Sequence, residues 1–162
     1  MRRTRAEWWR SVAKRRDDLS LKLMKAKVPY AEHKRALLEQ AAELMREAKS
    51  PAERLHLHRI TLQELITEAY ASRAGWDEFG ALLRRIQRFG FADMTHEVHV
   101  ACLFVQSVRH FPSKARQAFA MLDTVERKLR RIRKDHFLRR EGMEAVTYAR
   151  RFAEAAGITP PP

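Results

Sequence analysis

The histidines and the single cysteine are the residues of this chain with the most versatile chemistry, and their spacing predicts no reaction centre. His96 and His99 are three residues apart, whereas the two histidines of the H-E-x-x-H zinc motif are four apart. His56 and His58 are two apart, so on a helix they point in different directions. Because no second cysteine joins Cys102 in a four-ligand set, we expect no metal ion and no other cofactor.

Covalent and phosphate chemistry is not predicted either. Cys102 lies in the most apolar stretch of the chain, where burial raises the pKa of a thiol and keeps it protonated. The sequence has no glycine-rich phosphate loop, no paired-carboxylate motif and no G-x-S-x-G turn. We therefore expect a protein that is not an enzyme and that works by binding a partner.

The densest group of binding candidates is a run of cations at residues 127–134. Leu129 and Ile132, three residues apart, share the predicted buried face, and the cations spread over the exposed faces. A helix that ends near Lys134 explains part of the run, because cations stabilise the negative end of a helix dipole. Six cations among eight residues exceed that need, so we interpret the run as a site for an acidic protein surface or another polyanion. The six residues are Arg127, Lys128, Arg130, Arg131, Arg133 and Lys134.

A second basic zone is predicted near the N-terminus, where Lys14, Arg15 and Arg16 follow an earlier group of arginines. Trp8 and Trp9 separate the two groups, and adjacent tryptophans on a helix cannot both face one core. We therefore expect one of them at the surface, at an interface or on a membrane surface. Residues 1–27 hold ten Lys or Arg and three acids, and residues 113–162 hold twelve and six, within a net charge of +13. The earlier group consists of Arg2, Arg3 and Arg5.

The composition predicts which elements position these residues. Only 5 Gly and 6 Pro occur among 162 residues, which is too few for the many tight turns of an all-β fold. Ala, Leu, Arg, Glu, Lys and Met dominate, and these residues lose the least free energy on entering a helix. We predict an all-α fold of six to seven helices, arranged as antiparallel hairpins in a helical bundle or a short α-solenoid.

Apolar residues that recur every three or four positions predict where the helices lie. A fifth helix, capped by Thr95, is apolar nearly all round and is expected to be the central one. The sixth runs to about Lys134, and the seventh covers residues 138–156 with Gly157 as its C-cap. Ser50 and Glu53 predict a capping box at the start of the third helix. The first four predicted helices cover residues 5–28, 30–49, 51–74 and 76–90.

One stretch resembles a tetratricopeptide repeat. Trp76, Phe79, Gly80 and Leu83 are spaced like the first-helix signature W-x2-L-G-x2-Y. Phe104, Ser107 and Pro112 are spaced like the conserved positions of the second helix, after about eight extra residues. The resemblance covers about a quarter of the chain, residues 76–112, and implies a short superhelical stack that binds peptides or protein surfaces.

The expected organisation is a basic N-terminal helix at residues 1–29, a helical core domain at 30–157 and a disordered, proline-rich tail at 158–162. The chain has no apolar run of about 20 residues. It shows no secretory signal and cannot form an intrachain disulfide, so we expect it in the cytoplasm.

Two functions from different classes fit this organisation. The first is an adaptor or antagonist that docks onto an acidic protein partner through its cations. The second is nucleic-acid binding without sequence specificity, through phosphate contacts from the two basic zones. No helix-turn-helix signature or zinc finger supports the reading of base sequence. The sequence leaves the identity of the partner and the oligomeric state open.

Overall fold

The computed structural model describes residues 3–162, and within that range it contains seven α-helices, one short 3-10 turn and no strand. The all-α prediction is therefore confirmed. The chain divides into two compact units, one ending at Thr61 and the other beginning at Leu62, so the division falls inside the third helix. The helices are α1 (Arg5–Lys25), α2 (Tyr30–Glu47), α3 (Pro51–Ala71), α4 (Trp76–Phe89), α5 (Met94–Ser107), α6 (Ala115–Arg130) and α7 (Phe137–Ala155).

The first unit begins with a helix whose start is fixed by a capping box. The Thr4 hydroxyl accepts a hydrogen bond from the Glu7 backbone N–H at 3.1 Å, and the Glu7 carboxylate accepts one from the Thr4 N–H at 2.7 Å. These two bonds satisfy N–H groups that the first turn of a helix leaves without partners. The small core of the unit joins α1 to α2, to the residue after it and to the first turns of α3: Trp8, Val12, Leu44, Ala48 and Leu57.

The two adjacent tryptophans are both packed inside this unit. Trp8 is 3 % exposed, and the half-buried Trp9 places its ring 4.0 Å from the imidazole of His56 on α3. Trp9 is thus the tryptophan that stays partly exposed, and His56 packs against its ring. The two indoles also contact each other edge to face, with ring centres 4.6 Å apart.

The start of α3 follows the predicted capping chemistry with one change. Ser50 accepts a hydrogen bond from the backbone N–H of Glu53 at 3.2 Å, as a capping serine should. The carboxylate of Glu53 accepts from the backbone N–H of Lys49 at 2.7 Å, one residue earlier than the predicted box requires. The serine half of the capping box is therefore present, whereas the glutamate accepts from the N–H of Lys49 and not from that of Ser50.

The second unit is built around α5, which packs against both α6 and α7. Eight of its residues are buried, including Cys102 and Phe104, so the prediction of a mostly buried, central helix is confirmed for this unit. Its cap is Asp93, whose carboxylate accepts from the His96 N–H at 2.9 Å, and not the predicted Thr95. The aspartate cap starts the helix at Met94, two residues earlier than a Thr95 cap would.

The ends of α6 and α7 position the predicted cations. α6 ends at Arg130, four residues before the predicted end, because the backbone turns as Ile132 N–H donates to Leu129 O at 3.0 Å. α7 ends at Ala155 with Ala156 as its C-cap, and the predicted C-cap Gly157 is the next residue, with a φ of 76° that is open mainly to glycine. There Gly157 N–H donates to Glu154 O, and Ile158 N–H donates to Ala153 O, both at 2.9 Å. Ile158 packs against the core, whereas residues 159–162 are exposed and outside any helix.

Candidate functional site

The predicted run of cations lies at the junction of α6 and α7, in a region that we call the basic turn (residues 127–140). Half of the run is helical and half is not, so the six cations do not form the end of one helix, as the sequence had predicted. All six side chains are exposed. Arg127, Lys128 and Arg130 lie on α6, Arg131 is its C-cap residue, and Arg133 and Lys134 lie in the connecting loop.

Three of the six cations have carboxylate partners within the second unit. Lys128 pairs with Glu97 of α5, and Arg130 pairs with Glu126 one turn back at 3.4 Å. Arg133 binds Asp135 through two hydrogen bonds, although 83 % of the arginine side chain and 70 % of the aspartate side chain are exposed. Exposed ion pairs of this kind contribute about 0–1 kcal/mol, so an incoming carboxylate or phosphate can replace them at little cost.

The remaining cations of the run are available to a partner. Arg127 donates only to the neutral hydroxyl of Thr124, at 3.2 Å. Within residues 3–162, no carboxylate forms an ion pair with Arg131 or Lys134. Because both side chains are exposed and unneutralised, they are the members of the run best placed to bind an anion.

Sequence reasoning missed three residues of the basic turn, all on the first turn of α7. Arg139 and Arg140 extend the run, and 58 % of the Phe137 side chain is exposed between the two groups of cations. Arg139 has a structural role, because its guanidinium donates to Arg130 O at 3.2 Å and to Ile132 O at 2.9 Å and so caps α6. The sequence predicts the end of the sixth helix at Lys134, so the predicted run of cations ends there too.

The first turn of α7 is unusual in its charge. It contains no acidic residue, although acids stabilise the positive end of a helix dipole and cations there are unfavourable by about 0.3–1 kcal/mol each. The N-cap is His136, whose side-chain Nδ1 accepts from the Leu138 N–H at 3.1 Å. Arg140 therefore cannot be explained as a residue that stabilises the helix it begins.

An apolar groove lies between α4 and α6 in the same unit, above α5. Its volume is about 570 Å³, and its apolar lining comes from both walls, from the α4–α5 connection and from the floor. Trp76 forms part of one wall, and its ring stacks on Phe104 of the floor with centres 5.9 Å apart. The apolar lining residues are Trp76, Leu83, Phe91, Phe104, Ala120 and Met121.

The charge along this groove is positive. Arg84 and Lys114 stand on opposite walls, and the ammonium of Lys114 lies 4.7 Å from the centre of the Trp76 ring. Glu97 is the one acid among the lining residues, and Lys128 of the basic turn neutralises it. Lys128 thus connects the end of the groove to the basic turn.

The predicted N-terminal zone behaves differently from the basic turn. Arg15 forms two hydrogen bonds to the carboxylate of Glu47, at 2.7 and 3.0 Å, which raise the pKa of Arg15 and lower that of Glu47. Arg16 is only 3 % exposed, so it cannot contact a partner at the surface, and its predicted binding role is corrected. Lys14 is exposed, as predicted.

The earlier arginines of this zone are also partly engaged. Arg3 donates to Glu47 O at 2.7 Å, approaches the carboxylate of Glu53 at 3.9 Å and lies over the Trp8 ring at 4.9 Å. Arg5 is exposed, and Arg2 lies outside the described residues. The zone therefore offers far fewer open cations than its sequence suggests.

The cysteine of the second unit is buried, and two of its histidines are half-buried. Burial raises the pKa of the Cys102 thiol to about 11, in line with the prediction that it stays protonated at neutral pH. Burial also lowers the pKa of the His96 and His99 imidazoles. His99 Nε2 lies 2.9 Å from the Thr67 hydroxyl, which itself donates to Gln63 O at 2.8 Å. Because that hydroxyl has only one proton to donate, the imidazole is the donor to Thr67.

Comparison with known proteins gives no relative: no family model matches the chain, and neither a curated protein nor a solved structure does. The residues that resemble a tetratricopeptide repeat pack two helices together. A Cβ on Gly80 would lie 2.7 Å from the Trp76 ring, so glycine lets that ring cover the helix and reach Phe104. The repeat itself stays a prediction.

Two features are absent from residues 3–162. No three or more His, Cys, Asp or Glu side chains there are placed to hold a metal ion together. None of the helices in this range combines the length and the apolar character needed to cross a bilayer.

Proposed function

We propose that this chain is a non-enzymatic binding protein, an adaptor or antagonist, that docks onto an acidic surface of a protein partner. The basic turn carries this proposal. Residues 127–140 contain eight Lys or Arg and one acid, Asp135, and the cations without carboxylate partners point into solvent. Such a density of like charge repels itself, so an acidic ligand is the arrangement that stabilises it.

Ordinary roles of surface arginines account for only part of the turn. Arg139 caps α6, and Arg130 and Arg133 have carboxylates beside them. Within residues 3–162, the side chains of Arg131, Lys134 and Arg140 neither cap a helix nor pair with a carboxylate. Arginine matches a carboxylate with two parallel hydrogen bonds, which favours a surface rich in Asp and Glu as the ligand.

The apolar groove beside the basic turn favours a protein over a nucleic acid. A phosphate backbone is recognised by charge and has no apolar surface to pack in an apolar groove, whereas protein interfaces combine an apolar centre with a polar rim.

The proposal includes a cytoplasmic location, which is supported by a single cysteine that is buried and free.

Nucleic-acid binding without sequence specificity is the second candidate, and one observation favours it. Phe137 is exposed among the cations and stacks on His136, with ring centres 4.8 Å apart. Proteins that bind single strands combine cations with exposed aromatic rings on which bases stack. If this candidate is right, Phe137 is the residue on which a base would stack.

The test compares two triple variants of the full chain. Arg131→Ala/Lys134→Ala/Arg140→Ala removes the open cations of the basic turn, and Lys22→Ala/Lys25→Ala/Lys27→Ala removes three exposed cations of the first unit. Partners are captured from the source cell with each variant and the unaltered chain, identified by mass spectrometry, and rebound in purified form. The proposal expects capture of an acidic protein. Its affinity for the first variant should be at least about tenfold weaker than for the unaltered chain, and its affinity for the second variant should be unchanged.

Random duplex and single-stranded DNA, titrated between about 50 and 200 mM salt, provide the opposing result. Nucleic-acid binding predicts affinity that falls steeply with salt and a shallower slope in the first triple variant. Loss of single-strand binding in Phe137→Ala would identify the second candidate. A captured partner that binds both triple variants equally would overturn the protein-docking proposal.

A further inference from the structure

The groove between α4 and α6 is shaped to receive an elongated object. Its α4 wall runs from Trp76 to Gln87, about 11 residues or ~16 Å of helix, which is the length of three helical turns. Ala120, Gln117 and Gln87 on its rims are exposed, so the groove is open to solvent along its walls and is not an enclosed cavity. A length of three turns and an open top fit a segment of polypeptide better than a small molecule.

The walls of the groove determine which backbone conformation can occupy it. Both walls are α-helices, whose backbone N–H and C=O groups are bonded within the helix, so they offer no edge for an extended strand. A helical occupant brings its own backbone hydrogen bonds and needs only an apolar face to set against the half-buried side chains of Trp76, Phe91 and Met121. The exposed methyl of Ala120 leaves room for side chains of that face.

The charged residues around the groove determine which kind of helix can bind there. Arg84 and Lys114 face the groove from opposite walls, and Lys128 cancels the one lining acid, Glu97. The acids on α6, Asp123 and Glu126, are turned away from the groove toward α7, where Arg150 binds them at 2.6 and 3.2 Å. The acids of α6 therefore do not oppose Arg84 or Lys114, the residue that precedes α6, and the groove keeps a positive charge.

We infer that this groove binds an amphipathic helix of a partner protein, with an apolar face against the floor and acidic residues along its flanks. The inference rests on the proposed function, since it locates on this chain where the acidic partner anchors. The groove supplies the apolar centre of the interface, and the basic turn, reached through Lys128, supplies a cationic rim. Trp76 is the anchor residue expected to contribute most, as buried aromatic residues do at interfaces.

The probe is a synthetic helical peptide of about 14 residues, with Leu on one face and Glu on both flanks, labelled with a fluorophore. Two control peptides carry Lys in place of every Glu, or Ser in place of every Leu. Fluorescence anisotropy with the full chain should show saturable binding of the first peptide only, with a Kd below about 100 µM. Equal binding of the Lys peptide or the Ser peptide would overturn the inference, as would no binding at all.

The position of the peptide is read from the tryptophan indole N–H signals in ¹H–¹⁵N spectra, assigned with single Trp→Phe variants. Trp76 lines the groove, whereas Trp8 and Trp9 belong to the first unit and act as internal controls. The Glu peptide should shift the Trp76 signal and leave the other two unmoved. A shift of Trp8 and Trp9 alone would overturn the inference, as would a single-stranded oligonucleotide that moves Trp76 when the peptide does not.

A charge variant in the groove completes the test. Ala120→Glu places an acid at an exposed position of the rim and should weaken peptide binding by at least about tenfold, with Ala120→Gln separating the effect of size from that of charge. Ala42→Glu, at an exposed position of α2, is the matched control and should bind as the unaltered chain does. If Ala120→Glu binds normally, the groove is not the site. If the peptide fails while capture still depends on Arg131, Lys134 and Arg140, the proposed function stands without the groove.

Discussion

The two ends of this chain are both strongly basic in sequence, but the structure makes different surfaces of them. In the first unit, Arg15 is bound by Glu47, Arg3 is engaged by the same residue and by Glu53, and Arg16 is buried. In the basic turn, Arg131 and Lys134 are exposed and have no carboxylate partner among the described residues. Two segments of similar net charge therefore differ in the structure. Most described arginines of the N-terminal zone are paired or buried, whereas several cations of the basic turn are exposed and have no carboxylate partner among the described residues.

The difference lies in where the neighbouring acids are. Residues 28–80 hold nine acids and seven cations, and Glu47 and Glu53 of that stretch meet the arginines of α1 and its N-terminal flank within the first unit. In the second unit, Asp123 and Glu126 pair with Arg150 of α7. Glu126 also pairs with Arg130, so the cations of the run that stay open are those that no carboxylate of residues 3–162 reaches, Arg131 and Lys134 among them.

The largest expected effect comes from removing the buried residue under the basic turn. Leu129 is fully buried between the cations of α6 and contacts Gly142 of α7 so closely that a Cβ there would lie 2.7 Å from it. Leu129→Ala should lower the free energy of unfolding by about 2–5 kcal/mol, because it leaves a cavity where α6 meets α7. Urea denaturation followed by circular dichroism measures the loss.

Two controls make this result specific to the basic turn. Leu21→Ala, at a residue that is 50 % exposed in the first unit, should change stability by no more than about 0.5 kcal/mol. Amide signals of residues 131–140 should move in Leu129→Ala and not in Leu21→Ala. A loss below about 1 kcal/mol for Leu129→Ala would mean that the core does not hold the basic turn in place.

The next largest effect separates a buried arginine from an open one. Arg16→Ala removes a side chain whose aliphatic stem is packed in the first unit, and should lower the free energy of unfolding by about 1–3 kcal/mol. Arg131→Ala should leave stability within about 0.5 kcal/mol of the unaltered chain and weaken binding of an acidic partner. The opposite pattern, in which Arg131 stabilises the fold and Arg16 does not, would contradict the distinction between the two zones.

Local signals in the sequence were enough to predict most of the fold. Apolar spacing, Ser50 with Pro51, and Gly90 and Gly157 predicted helix boundaries to within a few residues, because caps and glycines act on the chain beside them. The apolar run around Cys102 predicted the central, buried helix for the same reason. The prediction was wrong where two neighbouring residues could each cap a helix, as Asp93 and Thr95 could at the start of α5.

The site was predicted less well, because its parts depend on contacts between distant residues. The burial of Arg16 follows from the packing of its stem in the first unit, whereas hydropathy counts arginine as polar. The groove brings Trp76 and Lys114 together across 38 positions of the chain, and no local pattern carries that information. Pairing of Arg15 with Glu47 is likewise a tertiary contact that charge counting cannot see.

A smaller effect concerns acid titration in the second unit. Burial is the main cause that lowers the pKa of His96 and of His99, against the opposing charges of Asp93 and Glu64 near His96. The unfolded chain therefore binds protons first as pH falls through about 6.5, and the folded state loses stability until the lowered pKa values are passed. Thermal unfolding at pH 7.5 and 5.5 should show a lower Tm at pH 5.5.

The control for this effect is His99→Gln, which keeps a donor for the Thr67 hydroxyl and cannot take up a proton. It should reduce the difference in Tm between the two pH values. A Tm that is equal at both pH values in the unaltered chain would show that these imidazoles are protonated as easily in the folded state as in the unfolded chain.

The smallest effect is expected at the ion pair that closes the N-terminal zone. The hydrogen bonds from Arg15 hold the pKa of Glu47 below its usual range, so the pair stabilises the fold above a pH of about 4.3 and is lost as pH falls through the lowered value. Both groups are largely exposed, and solvent screening limits the gain to about 0–1 kcal/mol. Glu47→Gln should therefore cost little stability at pH 7 and nothing once the pH has fallen below the lowered pKa of Glu47. Its main consequence is on charge: by freeing Arg15, it should let the first unit bind random duplex DNA more tightly at low salt than the unaltered chain does. Unchanged DNA binding would show that pairing with Glu47 is not what separates this zone from the basic turn.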